Sequence, residues 1–130
     1  MAKTLKKSIG DLGEKNAVKF LKKNKYRIVA TNYSNKYGEI DIICTNNDYI
    51  VFVEVKTREK NSFSTGYEAV NKKKQYNIFK TAHTYLNEHP CDKQPRFDII
   101  EVEYDKNTLK IGIREHYVNA FIQGGDYAVF

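Results

Sequence analysis

The sequence predicts a single α/β domain, residues 1–130, in which helices flank a mixed β-sheet in the order α-β-β-β-α-β-β. Three observations predict it. Two stretches carry apolar residues at helical spacing, and five shorter stretches are rich in β-branched and aromatic residues. Between two of the latter, Asn46-Asn47-Asp48 is a strong hairpin turn signal. The length, 130 residues, suits one domain with a real core, and 41% hydrophobic with 29% charged residues is ordinary for a globular chain.

The elements follow in order. Ser8 is placed to cap a first helix over 8–24, whose stripe is Ala17, Val18, Phe20 and Leu21, with Asn24 as its stop. Arg27 to Tyr33 reads as a strand, followed by a polar turn from Ser34 to Tyr37. Ile40 to Thr45 and Tyr49 to Thr57 make a hairpin; the second strand is apolar on both faces until Glu54, as expected of a central strand. A polar loop leads to a second helix over 67–88, with Ile78, Phe79, Ala82, Tyr85 and Leu86 on its buried face. Pro90 and Pro95 frame a loop, and Arg96 to Tyr104 and Thr108 to Val118 are the last strands.

Composition narrows the function only a little. A net charge of +6 favours an anionic partner without choosing among DNA, RNA and a membrane surface. Tyr49 to Val53 is the longest apolar run, too short to span a bilayer, and no signal-peptide region follows the Lys-rich start. A reducing cytoplasm is therefore the expected compartment. Cys44 reads as a buried small hydrophobe, and neither it nor Cys91 has a partner at zinc-ligand spacing; His83, His89 and His116 read as structural or exposed.

Against this ordinary background three charged residues stand out. Asp41 interrupts Ile40-Asp41-Ile42-Ile43, and Glu54 and Lys56 interrupt Val53-Glu54-Val55-Lys56. An unpaired buried charge is costly, so acids in central strands need a reason. With a two-residue turn at Asn47-Asp48, Asp41 faces Glu54 and Glu39 faces Lys56. Two opposed carboxylates repel unless a cation intervenes, and a hard divalent ion such as Mg2+ or Mn2+ prefers oxygen ligands. Lys56 lies on the same strand face and would orient water or neutralise a phosphate. A plain ion-pair cluster is the competing explanation. Glu14, at helical spacing from Ala17, Val18 and Leu21, projects from the sheet-facing side as a further acid, and Gly10 and Gly13 leave room for close approach or simply fray the helix. Lys72, Lys73 and Lys74, with Arg58, would grip phosphates, although a solvated helix face explains the lysines as well; Gln75 shares the helix face with Ile78, where core-edge packing also accounts for it. No aromatic pair on one strand face marks a base-stacking platform among the ten tyrosines, and Asp98 is left outside the catalytic set.

At this point the sequence resembles the YraN family of predicted endonucleases, which are similar to archaeal Holliday-junction resolvases within the PD-(D/E)xK restriction-endonuclease-like superfamily. The segments that carry the resemblance are Gly13-Glu14, Gly38-Glu39-Ile40-Asp41, Val51 to Arg58, Val70 to Lys74, Arg96-Phe97-Asp98 and Asn119-Ala120-Phe121. The resemblance implies a restriction-endonuclease-like fold, metal ligation by Asp41, Glu54 and the Val55 carbonyl, a catalytic Lys56 and a helical acid at Glu14. Ile40 stands where the superfamily's name has proline. The expected activity is Mg2+- or Mn2+-dependent hydrolysis of DNA phosphodiesters on branched or otherwise structured DNA, for which a homodimer would help engage two strands. The alternatives are a non-catalytic nucleic-acid-binding domain and a protein-interaction domain with a structural salt-bridge cluster.

Overall fold

A computed structural model describes residues 2–61 and 70–121, with side chains from residue 7 onward. Its elements are α1 (Ala2–Lys23), β1 (Arg27–Asn35), β2 (Gly38–Thr45), β3 (Tyr49–Glu59), α2 (Lys72–Glu88), β4 (Gln94–Tyr104) and β5 (Ile111–Tyr117). The order matches the sequence expectation, and the boundaries correct it in places. Helix α1 already runs at Ser8, which is therefore an interior residue and no cap. It stops because Lys25 adopts a left-handed conformation (φ 70°), so that Tyr26 N–H donates to the Leu21 carbonyl and Lys25 N–H to that of Lys22. Asn24 contributes through its side-chain amide, which donates to the Phe20 carbonyl at 2.7 Å. Pro95 lies within β4 rather than in a loop, near its first residue where a missing N–H costs least. Residues 67–69 of the expected second helix lie outside the described residues; the described helix opens at Lys72, capped by Asn71, whose side chain accepts from Lys74 N–H at 2.9 Å.

The five strands form one sheet in the order β1-β2-β3-β4-β5. All neighbours are antiparallel except β3 and β4, which run parallel along their full length with α2 as the crossover between them. This is the mixed sheet anticipated, and its apolar residues divide by face. Ile43, Ile50, Phe52, Phe97 and Ile99 pack against Ile78, Phe79, Ala82 and Tyr85 of α2. Ile42, Cys44, Val51, Val53, Ile100 and Val102 pack against Ala17 and Leu21 of α1. Each large side chain so buried contributes about 1.5–3 kcal/mol, against about 1 kcal/mol for a cap, so tertiary packing rather than helix propensity holds α2 in place. Cys44 is buried and Cys91 exposed, both as free thiols. Among the described residues no helix is long and apolar enough to cross a membrane.

The β2–β3 register is the feature that positions the site. Ile42 pairs with Val53, Ile43 with Phe52, Cys44 with Val51 and Thr45 with Ile50, the register expected from a two-residue turn at Asn47-Asp48. Asn46 closes that turn, its N–H donating to the Tyr49 carbonyl and its side chain accepting from Asp48 and Tyr49 N–H. The ladder ends at Ile42–Val53, so neither the projected Asp41–Glu54 pair nor the Glu39–Lys56 pair forms in it, and Glu39 is exposed. Strand β1 is irregular opposite the same point. In β1, Asn32 has φ 52°, and beyond it Tyr33 faces the same cluster as Ala30, although the two differ in strand parity. Strand β2 shares that irregularity: Ile40 joins the α2-side cluster while Ile42 belongs to the α1 side. Strands β2 and β3 thus fork at Asp41 and Glu54.

Candidate active site

The fork opens two adjoining hollows, and both Asp41 and Glu54 line each of them. One, of about 480 Å³, is also lined by Gly38, Glu39, Asn71, Lys73, Lys74 and Asn77. The other, of about 440 Å³, is lined by Glu14 and Gly10 of α1 and by Val55, Lys56 and Thr57 of β3. The cleft therefore runs from the middle of α1, across the sheet fork, to the N-terminus of α2.

Where the ladder ends, Asp41 takes over from it: its Oδ2 accepts the Val55 N–H at 2.7 Å. That bond ties the freed strand end to β3 and fixes the carboxylate beside Glu54. Burial, reinforced by the Glu54 charge and only partly offset by the Val55 N–H, pushes the Asp41 carboxyl up to about 7. Glu54 is 6% exposed and has two cations on one oxygen: Lys74 Nζ at 3.0 Å and Lys56 Nζ at 3.6 Å. Burial lowers the Lys56 pKa, with the Glu54 charge opposing and the Lys74 charge assisting. Lys74 moves the other way: burial opposes the shift, but Glu54 raises its pKa above the ordinary lysine value.

Glu14 shares the second hollow but stands further back. Burial raises its pKa, the Asn32 side chain lowers it in part, and the charges of Asp11, Glu39 and Glu54 add to the rise. Among the described residues no group of three or more His, Cys, Asp or Glu side chains gathers closely enough to hold a metal ion. The fit to a divalent cation is that of a two-carboxylate site: oxygen donors alone, the Glu54 charge raising the proton affinity of Asp41, and space beside them for water or phosphate. Asp41 and Glu54 would hold such an ion, with the Val55 backbone in the wall beside them.

The other residues singled out in the sequence distribute unevenly. Lys73 lines the cleft, Lys72 is exposed at the start of α2, and Lys74 is engaged with Glu54. Gln75 donates its amide to the Val70 carbonyl at 3.0 Å and so braces the helix entry. Arg58 lies further along β3, in register with Glu103, with its Nε buried and lacking a hydrogen-bond partner. Three lysines in a first turn oppose the helix dipole, each costing about 0.3–1 kcal/mol when exposed. Lys74 is compensated by Glu54; Lys73 carries its charge on the cleft side, and the first turn of the helix contains no acid.

Sequence reasoning missed Asn71, Asn77, Asn32 and Thr57. Asn71 had a readable signal, an Asx residue immediately before a periodic helix. Asn32 and Thr57 had none, because their roles depend on a strand irregularity and a helix crossing. Gly13 is explained by that crossing: a Cβ there would fall on Thr57 Oγ1 and lie 3.2 Å from Thr57 Cβ, whereas Gly10 has nothing within 4 Å.

Residues 13–102 match the model of the family described as Uncharacterised protein family UPF0102. The chain is 47% identical over 120 residues to a UPF0102 protein of Alkaliphilus oremlandii, covering 90% of this chain and 100% of that protein. A UPF0102 protein of Caldanaerobacter subterraneus is 43% identical over 122 residues, 93% of this chain and 100% of its own. A third, from Acetivibrio thermocellus, is 44% identical over 115 residues, 87% and 88% of the two chains. The matched span contains Glu14, the fork acids and the first turn of α2, and the chain belongs to the UPF0102 family, the YraN family its motifs resemble.

Proposed function

We propose that this protein is a divalent-metal-dependent endonuclease with a restriction-endonuclease-like fold, hydrolysing DNA phosphodiesters on branched or otherwise structured DNA. The observation that carries the reading is that Asp41 and Glu54 line the same hollows at the β2–β3 fork, where burial and the Glu54 charge raise the Asp41 pKa to about 7. A structural ion pair would not require a second, half-buried acid beside Glu54, which Lys74 and Lys56 already neutralise.

In this reading Asp41, Glu54 and the Val55 carbonyl would hold Mg2+ or Mn2+. When bound, the ion would supply the Lewis acidity that polarises a phosphodiester. Lys56, desolvated and two residues along the same strand face, presents its ammonium to the phosphate oxygens and stabilises the charge that develops there. Glu14 sets the charge of the opposite wall and orders water against it. Lys72 and Lys73 hold the flanking backbone phosphates, and Arg58 extends the basic track along β3. A homodimer would present two such clefts to two strands.

The test is incubation with branched and linear DNA in Mn2+, with Asp41→Ala and Glu54→Ala variants purified in parallel to control for contaminating nuclease. Cleavage by the parent and by neither variant supports the enzyme. Salt-sensitive binding without cleavage replaces it with a nucleic-acid-binding domain, and neither result leaves the acids as an ion-pair cluster.

A further inference from the structure

We propose that Tyr37 and Tyr76, which bracket Lys80, form a stacking site for the bases of an unpaired nucleic-acid strand at the outer lip of the Asp41–Glu54 cleft. This rests on the reading that the cleft engages a nucleic acid. Lys80 Nζ lies 4.6 Å from the Tyr37 ring centroid and 5.2 Å from that of Tyr76, while Lys36 Nζ lies 5.2 Å from Tyr37. Tyr76 is 45% exposed, and Tyr37 and Lys80 are half-buried beside it.

The platform is held in place by its own contacts. The β1–β2 turn is fastened to α2 by Asn35, whose side-chain amide donates to the Thr81 carbonyl at 3.3 Å and whose Oδ1 accepts the Tyr37 N–H at 2.9 Å. Gly38 then approaches α2 so closely that a Cβ would stand 3.1 Å from Thr81 Oγ1. Tyr37 is therefore presented to α2 by a docked turn. On α2 itself, Lys73, Tyr76, Asn77 and Lys80 fall at spacings of three, four and seven and share one stripe.

Position and charge choose the occupant. Gly38 follows Tyr37 and Asn77 follows Tyr76, and both line the hollow that contains Asp41 and Glu54. Lys36 and Lys80 both lie against the Tyr37 ring, and two like charges gathered on one ring favour an anion beside them. A polyanion with exposed aromatic faces meets both demands, because a base can stack on the ring while the displaced ammonium groups bind flanking phosphates. Paired duplex offers the phosphates but hides the base faces, so the fit is to an unpaired strand.

The experiment is fluorescence anisotropy in EDTA with labelled oligo(dT) and a blunt duplex, on the full chain and on Tyr37→Ala, Tyr76→Ala and Tyr76→Phe. Each alanine variant is expected to weaken oligo(dT) binding about tenfold, while Tyr76→Phe and duplex binding stay close to the parent. Alanine variants that bind oligo(dT) like the parent, or that lose duplex and single strand equally, overturn the proposal, as does a Tyr76→Phe variant that behaves like alanine. No metal is present and no bond is cut, so the result is independent of whether Asp41 and Glu54 support cleavage.

Discussion

At the scale of single residues, Asp41 concentrates the conflict between folding and chemistry. Its carboxyl is held at about 7 by burial and by Glu54, against an ordinary value of 3.8. Between about pH 4 and pH 7 the folded chain therefore binds more protons than the unfolded one, and stability falls as pH rises through that window. Asp41→Asn keeps an acceptor for the Val55 N–H and removes the charge. We expect it to raise Tm by about 5 °C at pH 8 and by progressively less towards pH 4, measured by thermal denaturation across that range. A gain that does not depend on pH would show that the charge is not the cause. Lys74 gives a second test. Its ammonium occupies the Glu54 oxygen that a divalent ion would use, so Lys74→Met should tighten Mn2+ binding roughly tenfold by calorimetry, one charge–charge competition being worth about 1.4 kcal/mol. Unchanged affinity would mean that the ion does not compete for that oxygen.

At the scale of elements, the crossing of α1 over β3 is fixed by Gly13 against Thr57. Alanine is normally the better helix residue by about 1 kcal/mol, yet Gly13→Ala should lose about 1–3 kcal/mol in guanidinium denaturation because the new methyl displaces Thr57. Thr57→Ala in the same chain should restore part of that loss, and a double-mutant cycle without coupling would refute the contact. The sequence was most readable where short-range chemistry decides. The Asn47-Asp48 turn specified the β2–β3 register, and the apolar pattern of Tyr49 to Val53 identified the central strand. It failed where distant residues decide. No local signal told that β2 would leave β3 at Asp41, where the neighbouring strand β1 carries the left-handed Asn32. Likewise Lys74 looked like a phosphate ligand until α2 packing delivered it to Glu54.

At the scale of the whole molecule, a buried polar cluster joins elements remote in sequence on the α1 side of the sheet. Asp98, fully buried, accepts from Arg96 at 2.7 and 2.9 Å and from the Asn119 N–H at 2.9 Å, and pairs with His116 Nε2 at 2.7 Å. Arg96 in turn donates to the Tyr26 hydroxyl at 2.6 Å. Burial opposes ionisation of Asp98, but these partners outweigh it and hold its pKa below the ordinary value. The cluster locks the residues after α1, strand β5 and the chain that follows it to β4. Asp98→Ala leaves a buried guanidinium unpaired and should cost about 3–5 kcal/mol in urea unfolding, whereas Asp98→Ala combined with Arg96→Met should cost less than the sum of the two changes. Simple additivity would mean that the two side chains act separately.

The parallel pairing of β3 with β4 also has a consequence in time. It joins Tyr49 to Gln94 and so closes a long stretch of chain, whereas β1, β2 and β3 meet through short turns. Loop closure favours the three-stranded meander first, with α2 and β4 arriving later. Asp41 and Glu54 belong to that early meander, where water still screens them from each other. Their repulsion reaches full strength only when α2 closes over the sheet and brings Lys74 to Glu54. The helix that removes the solvent also carries the compensating charge, so the late step of assembly is the one at which acid or a divalent ion would speed the folding of this chain.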